Sequence, residues 1–325
     1  MSFDRDPLAV HSVDEFVFGV PELEAARHFY TAFGLDVRNE AGGLALYTHG
    51  HTHRWARILK RPAKRLQWLS LGIRGEDAAA FERYLAARGV ARILPPEDAD
   101  PTGCWIQGPD GLPLQLRVAD KSSPSSPAPR QAAPENCNAG RSPGRGRALA
   151  EPVRPLYLSH ILLFSADVEA ARRFYEELLG LRLSDKSRDI IAFLHSPHGS
   201  DHHLLALAKS TGAGLHHSSW CVPSIDAIGR GSQQMAAAGY SQGWGLGRHV
   251  LGSNYFRYVR DPWGSYAEYS YDIDFVEAGA IWPAADHPPE DSLYAWGPPL
   301  PEDFVTNHEL RPHPSSDITT TGDRK

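Results

Sequence analysis

Hydrophobic and polar positions along the chain fall into a pattern that occurs four times. In "VDEFVFGVPELEAARHFYTAFGL" (13–35), apolar residues alternate through a short strand, a turn follows, and apolar positions then recur every three or four residues. "LSHILLFSADVEAARRFYEELLGL" (158–181) reproduces this phase. "LQWLSLGIRGEDAAAFERYLAARGV" (66–90) and "LHHSSWCVPSIDAIGRGSQQMAAAGY" (215–240) open two further units of the same kind. Each unit continues into short strands: 43–47 and 54–59 in the first, 189–194 and 202–208 in the third. The second closes with "GPDGLPLQLRV" (108–118) and the fourth with "GRHVLGSNYFRYVRDPWGSYAEYS" (247–270), where Asp261-Pro262-Trp263-Gly264 is turn chemistry between two extended runs. The reading is an α+β protein of four βαβββ modules, paired two by two into half-barrel-containing domains.

Composition breaks the chain between the pairs. Residues 119–155 are rich in Pro, Ser, Ala, Gly and Arg without an apolar period, which is linker composition. The domains therefore read as 1–118, a linker at 119–155, 156–280, and an extended tail at 281–325. The Pro-rich start of that tail keeps Trp282, Tyr294, Trp296 and Phe304 and is expected to wrap against the second domain; from Pro312 onward disorder is expected.

With 325 residues, 42% apolar and 22% charged, the chain is an ordinary soluble one of about two domains. A net charge of −6 argues against nucleic acid or an anionic membrane as partner, and no apolar run is long enough to span a bilayer. The N-terminal "MSFDRDPLAVHSVDEF" lacks the basic patch and apolar run of a secretory leader. Three scattered cysteines make neither a disulfide framework nor a zinc ribbon, so the expected setting is reducing and cytoplasmic.

Where the sixteen histidines fall matters more than their number. His160 lies in the first strand of the third module, His216 and His217 open the first strand of the fourth, and Glu268 lies in the last strand of the fourth. A lone carboxylate among tyrosines on such a strand is solvent-facing or bound to something. If the modules curve together, alternation sets two imidazoles and a carboxylate on one concave face. Such a triad leaves positions open on a divalent metal and suits non-haem Fe(II), with Mn(II) the alternative.

The motifs "LSHILLF", "DHHLLALA", "GLHHSSWCV", "GRHV", "YFRYVRDPWGS" and "YAEYS" resemble the catalytic domain of the type I extradiol ring-cleaving catechol dioxygenases. This family, which includes 2,3-dihydroxybiphenyl 1,2-dioxygenase and catechol 2,3-dioxygenase, belongs to the vicinal oxygen chelate superfamily, with the glyoxalase–bleomycin resistance–dioxygenase fold. The resemblance implies His160, His217 and Glu268 as metal ligands, His217 being the ligand of its double-His pair. It implies His203 as acid/base, His249 and Tyr258 as substrate contacts, and a catechol and O₂ as substrates that yield a ring-opened hydroxy-oxo-dienoate. It also implies a homo-oligomer and a metal-free N-terminal domain. Superposing Phe29-Tyr30 on Phe174-Tyr175 sets Glu15 opposite His160, Trp68 opposite His217 and Gln115 opposite Glu268. Leu251 stands where the family often has Asn, which bears on pocket shape.

Other residues carry plainer expectations. His216 is expected to face away from its neighbour in a packing or surface role. His49, His51 and His53 are expected to be solvent-exposed turn residues, as are His195 and His198. Cys221, if it faces the pocket, is a small apolar filler. Trp220, Trp244, Trp263 and Tyr266 suit a pocket wall or a core equally. Two rival functions remain on the same scaffold. One is a glyoxalase- or epimerase-like metalloenzyme, which would use a fourth protein ligand; the other is a non-catalytic small-molecule-binding protein, which would lack the full triad.

Overall fold

The computed structural model describes residues 7–130 and 151–310. The N-terminal half runs β1 (Ser12–Val20), α1 (Leu23–Ala32), β2 (Asp36–Glu40), β3 (Gly43–Tyr47), β4 (Ala56–Lys60), β5 (Arg65–Ile73), α2 (Ala78–Ala87), β6 (Cys104–Gln107) and β7 (Pro113–Val118). These strands form one sheet in the order β2-β3-β4-β1-β5-β7-β6. The second module is abbreviated: where a strand is expected after α2, only a single bridge from Arg92 to Ile106 remains.

The C-terminal half runs β8 (Tyr157–Ser165), α3 (Val168–Leu179), β9 (Arg182–Ser187), β10 (Ile191–His195), β11 (Ser200–Asp201), β12 (Leu205–Lys209), β13 (Gly214–Cys221), α4 (Ile225–Ala237), β14 (Gly243–His249), β15 (Tyr255–Arg260) and β16 (Tyr266–Tyr271). The tail adds β17 (Phe275–Val276), β18 (Ala285–Asp286) and β19 (Tyr294–Trp296). The large sheet is ordered β18-β9-β10-β12-β8-β13-β16-β15-β14-β19, so the tail supplies both of its edges. The sequence "HSPHGSDHH" behaves differently from the expected open hairpin. His195 and His198 are buried, because Ser196 Oγ donates to Val10 O at 2.9 Å and His198 Nε2 to Ala9 O at 3.3 Å. Contact with the other half of the chain, invisible to local pattern, covers this turn. His49 and His51 are exposed as expected, while His53 is half-buried against Asp14 O.

Local chemistry explains the helices. Asp167 and Ser224 cap α3 and α4 by accepting from Ala170 N (2.9 Å) and Ala227 N (3.1 Å). α3 stops at Gly180, whose φ of 71° is left-handed and where a Cβ would lie 2.4 Å from Leu8 O. The apolar stripes, Ala26, Phe29 and Tyr30 on α1 and Ala171, Tyr175 and Leu179 on α3, are buried in one core shared by both halves.

Strand pairing makes the two halves equivalent. Glu15 pairs with Ser70 and Ser70 with Gln115; His160 pairs with Ser219 and Ser219 with Glu268. Two residues further, Val17 pairs with Trp68 as Leu162 pairs with His217. The expected correspondence of Glu15, Trp68 and Gln115 with His160, His217 and Glu268 therefore holds in register.

The end of the tail ties the halves together. Buried Glu309 accepts from Lys64 Nζ (2.6 Å), Leu66 N (2.9 Å) and Leu215 N (3.1 Å). Glu309→Ala leaves the Lys64 ammonium buried without its counter-charge, which costs about 3–5 kcal/mol. A urea titration of the variant against the parent reads that loss as a lower midpoint.

Candidate metal centre

Three strands deliver the candidate donors to one point. β8 brings His160, β13 brings His217 and β16 brings Glu268, all buried. His160 Nε2 lies 3.3 Å from His217 Nε2 and 3.3 Å from Glu268 Oε2; His217 Nε2 lies 3.4 Å from the same oxygen. This triangle is small enough for one divalent ion to reach every corner at about 2.0–2.2 Å. Glu268 Oε2 is wholly buried and lacks a hydrogen-bond donor of acceptable geometry. An orphaned carboxylate oxygen facing two imidazole nitrogens is a cation site by its chemistry, and the donor set fits a non-haem divalent metal.

Protonation agrees with ligation. Burial drives the His160 and His217 rings below their usual value, which keeps them neutral with lone pairs available. Burial alone would raise Glu268, but the closely set His160, His249 and His217 side chains hold it well below the usual carboxylate range. Asn254 Nδ2 adds a donor to Glu268 Oε1 at 3.2 Å and another to Ser270 Oγ at 3.0 Å. Asn254, one residue before β15, is not singled out by the sequence pattern, although it continues the alternation of Phe256 and Tyr258.

Tautomers are set by neighbours. The register of β13 against β8 slips between Leu215 and His217, so His216 is the extra residue of a bulge. It does not simply face away, as strict alternation predicts. It lines the same cavity as His217, and its Nδ1 sits 2.7 Å from His217 Nδ1. His216 Nε2 lies 2.8 Å from Phe304 O, and a carbonyl only accepts, so Nε2 carries the proton. His216 Nδ1 is then the acceptor, His217 Nδ1 the donor, and His217 Nε2 keeps its lone pair toward the triangle.

His249 Nδ1 likewise faces Leu293 O at 2.7 Å, leaving Nε2 to accept from the Tyr258 hydroxyl at 2.9 Å. Burial and then the Glu268 charge push the Tyr258 phenol well up, so it remains a donor. The His203 ring centroid lies 4.0 Å from that of His160, the planes tilted by 47°, and burial holds His203 well below its ordinary value.

These residues surround one largely apolar cavity. Its walls include Leu162, Ile191, Phe193, Leu251, Leu293 and Phe304, and among the described residues no lysine or arginine lines it. Phe304 and Leu293 come from the tail, and only the retained aromatics of its Pro-rich stretch hinted at them. Trp244, Tyr266 and Phe304 pack with Tyr258 beside the cavity, whereas Trp220 lies in the shared core and Trp263 packs against it. Cys221 does not line the cavity; it sits buried with its Sγ toward Val222 O. In the N-terminal half the matching space is filled. Glu15 is paired with Arg54, Gln115 Oε1 accepts from Ser70 at 2.6 Å, and Trp68 packs edge-on against Trp105.

Comparison with known proteins follows the geometry. A sequence model of the Glyoxalase/Bleomycin resistance protein/Dioxygenase superfamily matches residues 157–269. The chain is 48% identical over 301 residues to Metapyrocatechase 2 of Cupriavidus necator, covering 93% of each. Its fold is shared with a Mn(II)-bound glyoxalase from Novosphingobium aromaticivorans (TM-score 0.70, 23% identity, 94% and 95% covered). It is shared also with a variant of homoprotocatechuate 2,3-dioxygenase from Brevibacterium fuscum (TM-score 0.73, 19% identity, 93% and 82% covered).

Neutral buried imidazoles carry a consequence for acid stability. His11, His195 and His216 are lowered to about 4 by burial, and His160, His203 and His217 are lowered as well. Between pH 6.5 and 4 the unfolded chain binds protons that the folded chain refuses, so stability falls as pH falls. Buried carboxyls raised by desolvation, such as Asp201 at about 7, oppose this but are fewer. The denaturant midpoint of the metal-free protein should therefore be lower at pH 4.5 than at pH 7.5.

Proposed function

The chain belongs to the type I extradiol ring-cleaving dioxygenases of the vicinal oxygen chelate superfamily, and on that premise we propose that it uses Fe(II) and O₂ to open an uncharged catechol beside its diol. The observation that carries the reading is the buried triangle of two neutral imidazoles and Glu268, opening on an apolar cavity rimmed by the His249–Tyr258 pair. His160, His217 and Glu268 would hold the metal. Ferrous ion in such a site supplies an electron path between a coordinated catecholate and triplet dioxygen, which otherwise react poorly.

The remaining roles belong to the protein. His203, neutral and facing the cavity, takes the proton of a catechol hydroxyl and returns it to the ring-opened hydroxy-oxo-dienoate. The Tyr258 phenol, poised by His249 Nε2, turns its proton to the ionised oxygen and orients it. Leu162, Phe193 and Phe304 hold the ring and exclude water. The sum is balanced, because both atoms of O₂ enter the product and no further reductant is required.

Charge and shape of the cavity narrow the substrate class. A carboxylate substituent would be buried without a cation to meet it, at a cost of several kcal/mol. Uncharged, unsubstituted or alkylated catechols fit. Cytoplasmic location and homo-oligomeric assembly belong to the same reading. The described cysteines, Cys104 and Cys221, are free and buried, no helix among the described residues is long and apolar enough to cross a membrane, and assembly follows the habit of the family.

Anaerobic loading with Fe(II), then O₂ and a catechol panel, tests the proposal. A yellow product with one O₂ consumed per catechol is expected; absence of uptake with every catechol would overturn it. Methylcatechols should exceed carboxylated catechols in kcat/KM by roughly 100-fold. Glu268→Ala should lose stoichiometric iron by metal analysis while keeping its fold by circular dichroism.

A further inference from the structure

His203 follows another histidine, and the two rings meet through their Nδ1 atoms at 3.1 Å. On the far side, His202 Nε2 lies 3.0 Å from Asp185 Oδ2. That carboxylate also accepts from Trp282 Nε1 (3.1 Å), the Ala285 amide (3.1 Å) and His287 Nε2 (2.7 Å). His202 is completely buried and Asp185 nearly so, which keeps water out of the chain of contacts.

The direction of each hydrogen bond follows from what each atom can do. A carboxylate surrounded by four donors accepts, so His202 Nε2 carries a proton. In the neutral ring, His202 Nδ1 is then the acceptor and the shared proton sits on His203 Nδ1. His203 Nε2 retains its lone pair. It has no hydrogen-bond partner among the described residues, and its ring lines the cavity. The pair repeats the logic of His216 and His217, with Asp185 in place of the Phe304 carbonyl.

We propose that Asp185 and His202 are positioning residues that lock His203 in the tautomer presenting Nε2 to the catechol, with the tail residues Trp282, Ala285 and His287 gripping the outer end. The proposal rests on the acid–base role of His203 given above. Removing His202 leaves both His203 tautomers accessible, and the one with Nε2–H is unable to accept the substrate proton.

The test is ¹⁵N-histidine NMR on the full-length chain loaded with diamagnetic Zn(II), together with turnover of the iron enzyme. His203→Asn assigns the resonance. The parent should show His203 protonated at Nδ1 alone. His202→Phe should show mixed tautomers and a kcat lower by about tenfold, with KM for catechol within about twofold. His202→Asn restores an acceptor near the former Nδ1 and should recover most of both, a rescue that a merely structural role would not produce. Asp185→Asn gives an independent reading should the Phe variant fold poorly, with the same direction of change expected. A parent His203 protonated at Nε2, as an imidazolium at 202 would impose, overturns the relay. So does an unchanged tautomer and turnover in His202→Phe and Asp185→Asn. Full activity in His203→Asn would instead remove the acid–base role itself, leaving the tautomer result to be judged alone.

Discussion

A wholly buried carboxylate is the constraint on which the C-terminal half turns. Glu268 has no exposed surface, one oxygen is bonded to Asn254, and the other faces two imidazole nitrogens at 3.3–3.4 Å. Desolvating an ionised carboxylate costs several kcal/mol unless charge and hydrogen bonds replace the lost water. Protein donors satisfy only part of that demand. A divalent cation held between the three side chains would satisfy the rest.

The duplicated architecture shows how one scaffold supports two outcomes. The register of β1, β5 and β7 matches that of β8, β13 and β16 pair for pair. The backbone register of these three strands is therefore common to both halves, and at the matched positions the side chains differ. Glu15 is neutralised by Arg54, and the space a guest would take is occupied by Trp68 and Trp105. Small or polar side chains at the equivalent places in the second half leave a cavity. The chemistry follows from what is not filled.

The tail is part of the site. Leu293 O and Phe304 O determine where His249 and His216 carry their protons, and Trp282, Ala285 and His287 saturate Asp185 behind His202. Phe304 also walls the cavity, and Glu309 anchors the strap's end between the two halves. Carbonyls from a segment distant in sequence thus set which nitrogen carries the proton in His216 and His249.

The sequence by itself determined the four-fold module pattern and the strands that carry His160, His217 and Glu268, because alternation has a period of two and places side chains on a known face whatever the strand packs against. His249 and Tyr258 were marked by the family resemblance of their motifs. Only the tertiary structure decided the rest. The bulge at His216, the burial of His195 and His198, the donor from Asn254 and the His202–Asp185 chain depend on partners between 14 and 189 residues away. A hydrogen bond's direction is settled by which atoms meet in space, and no local pattern states that.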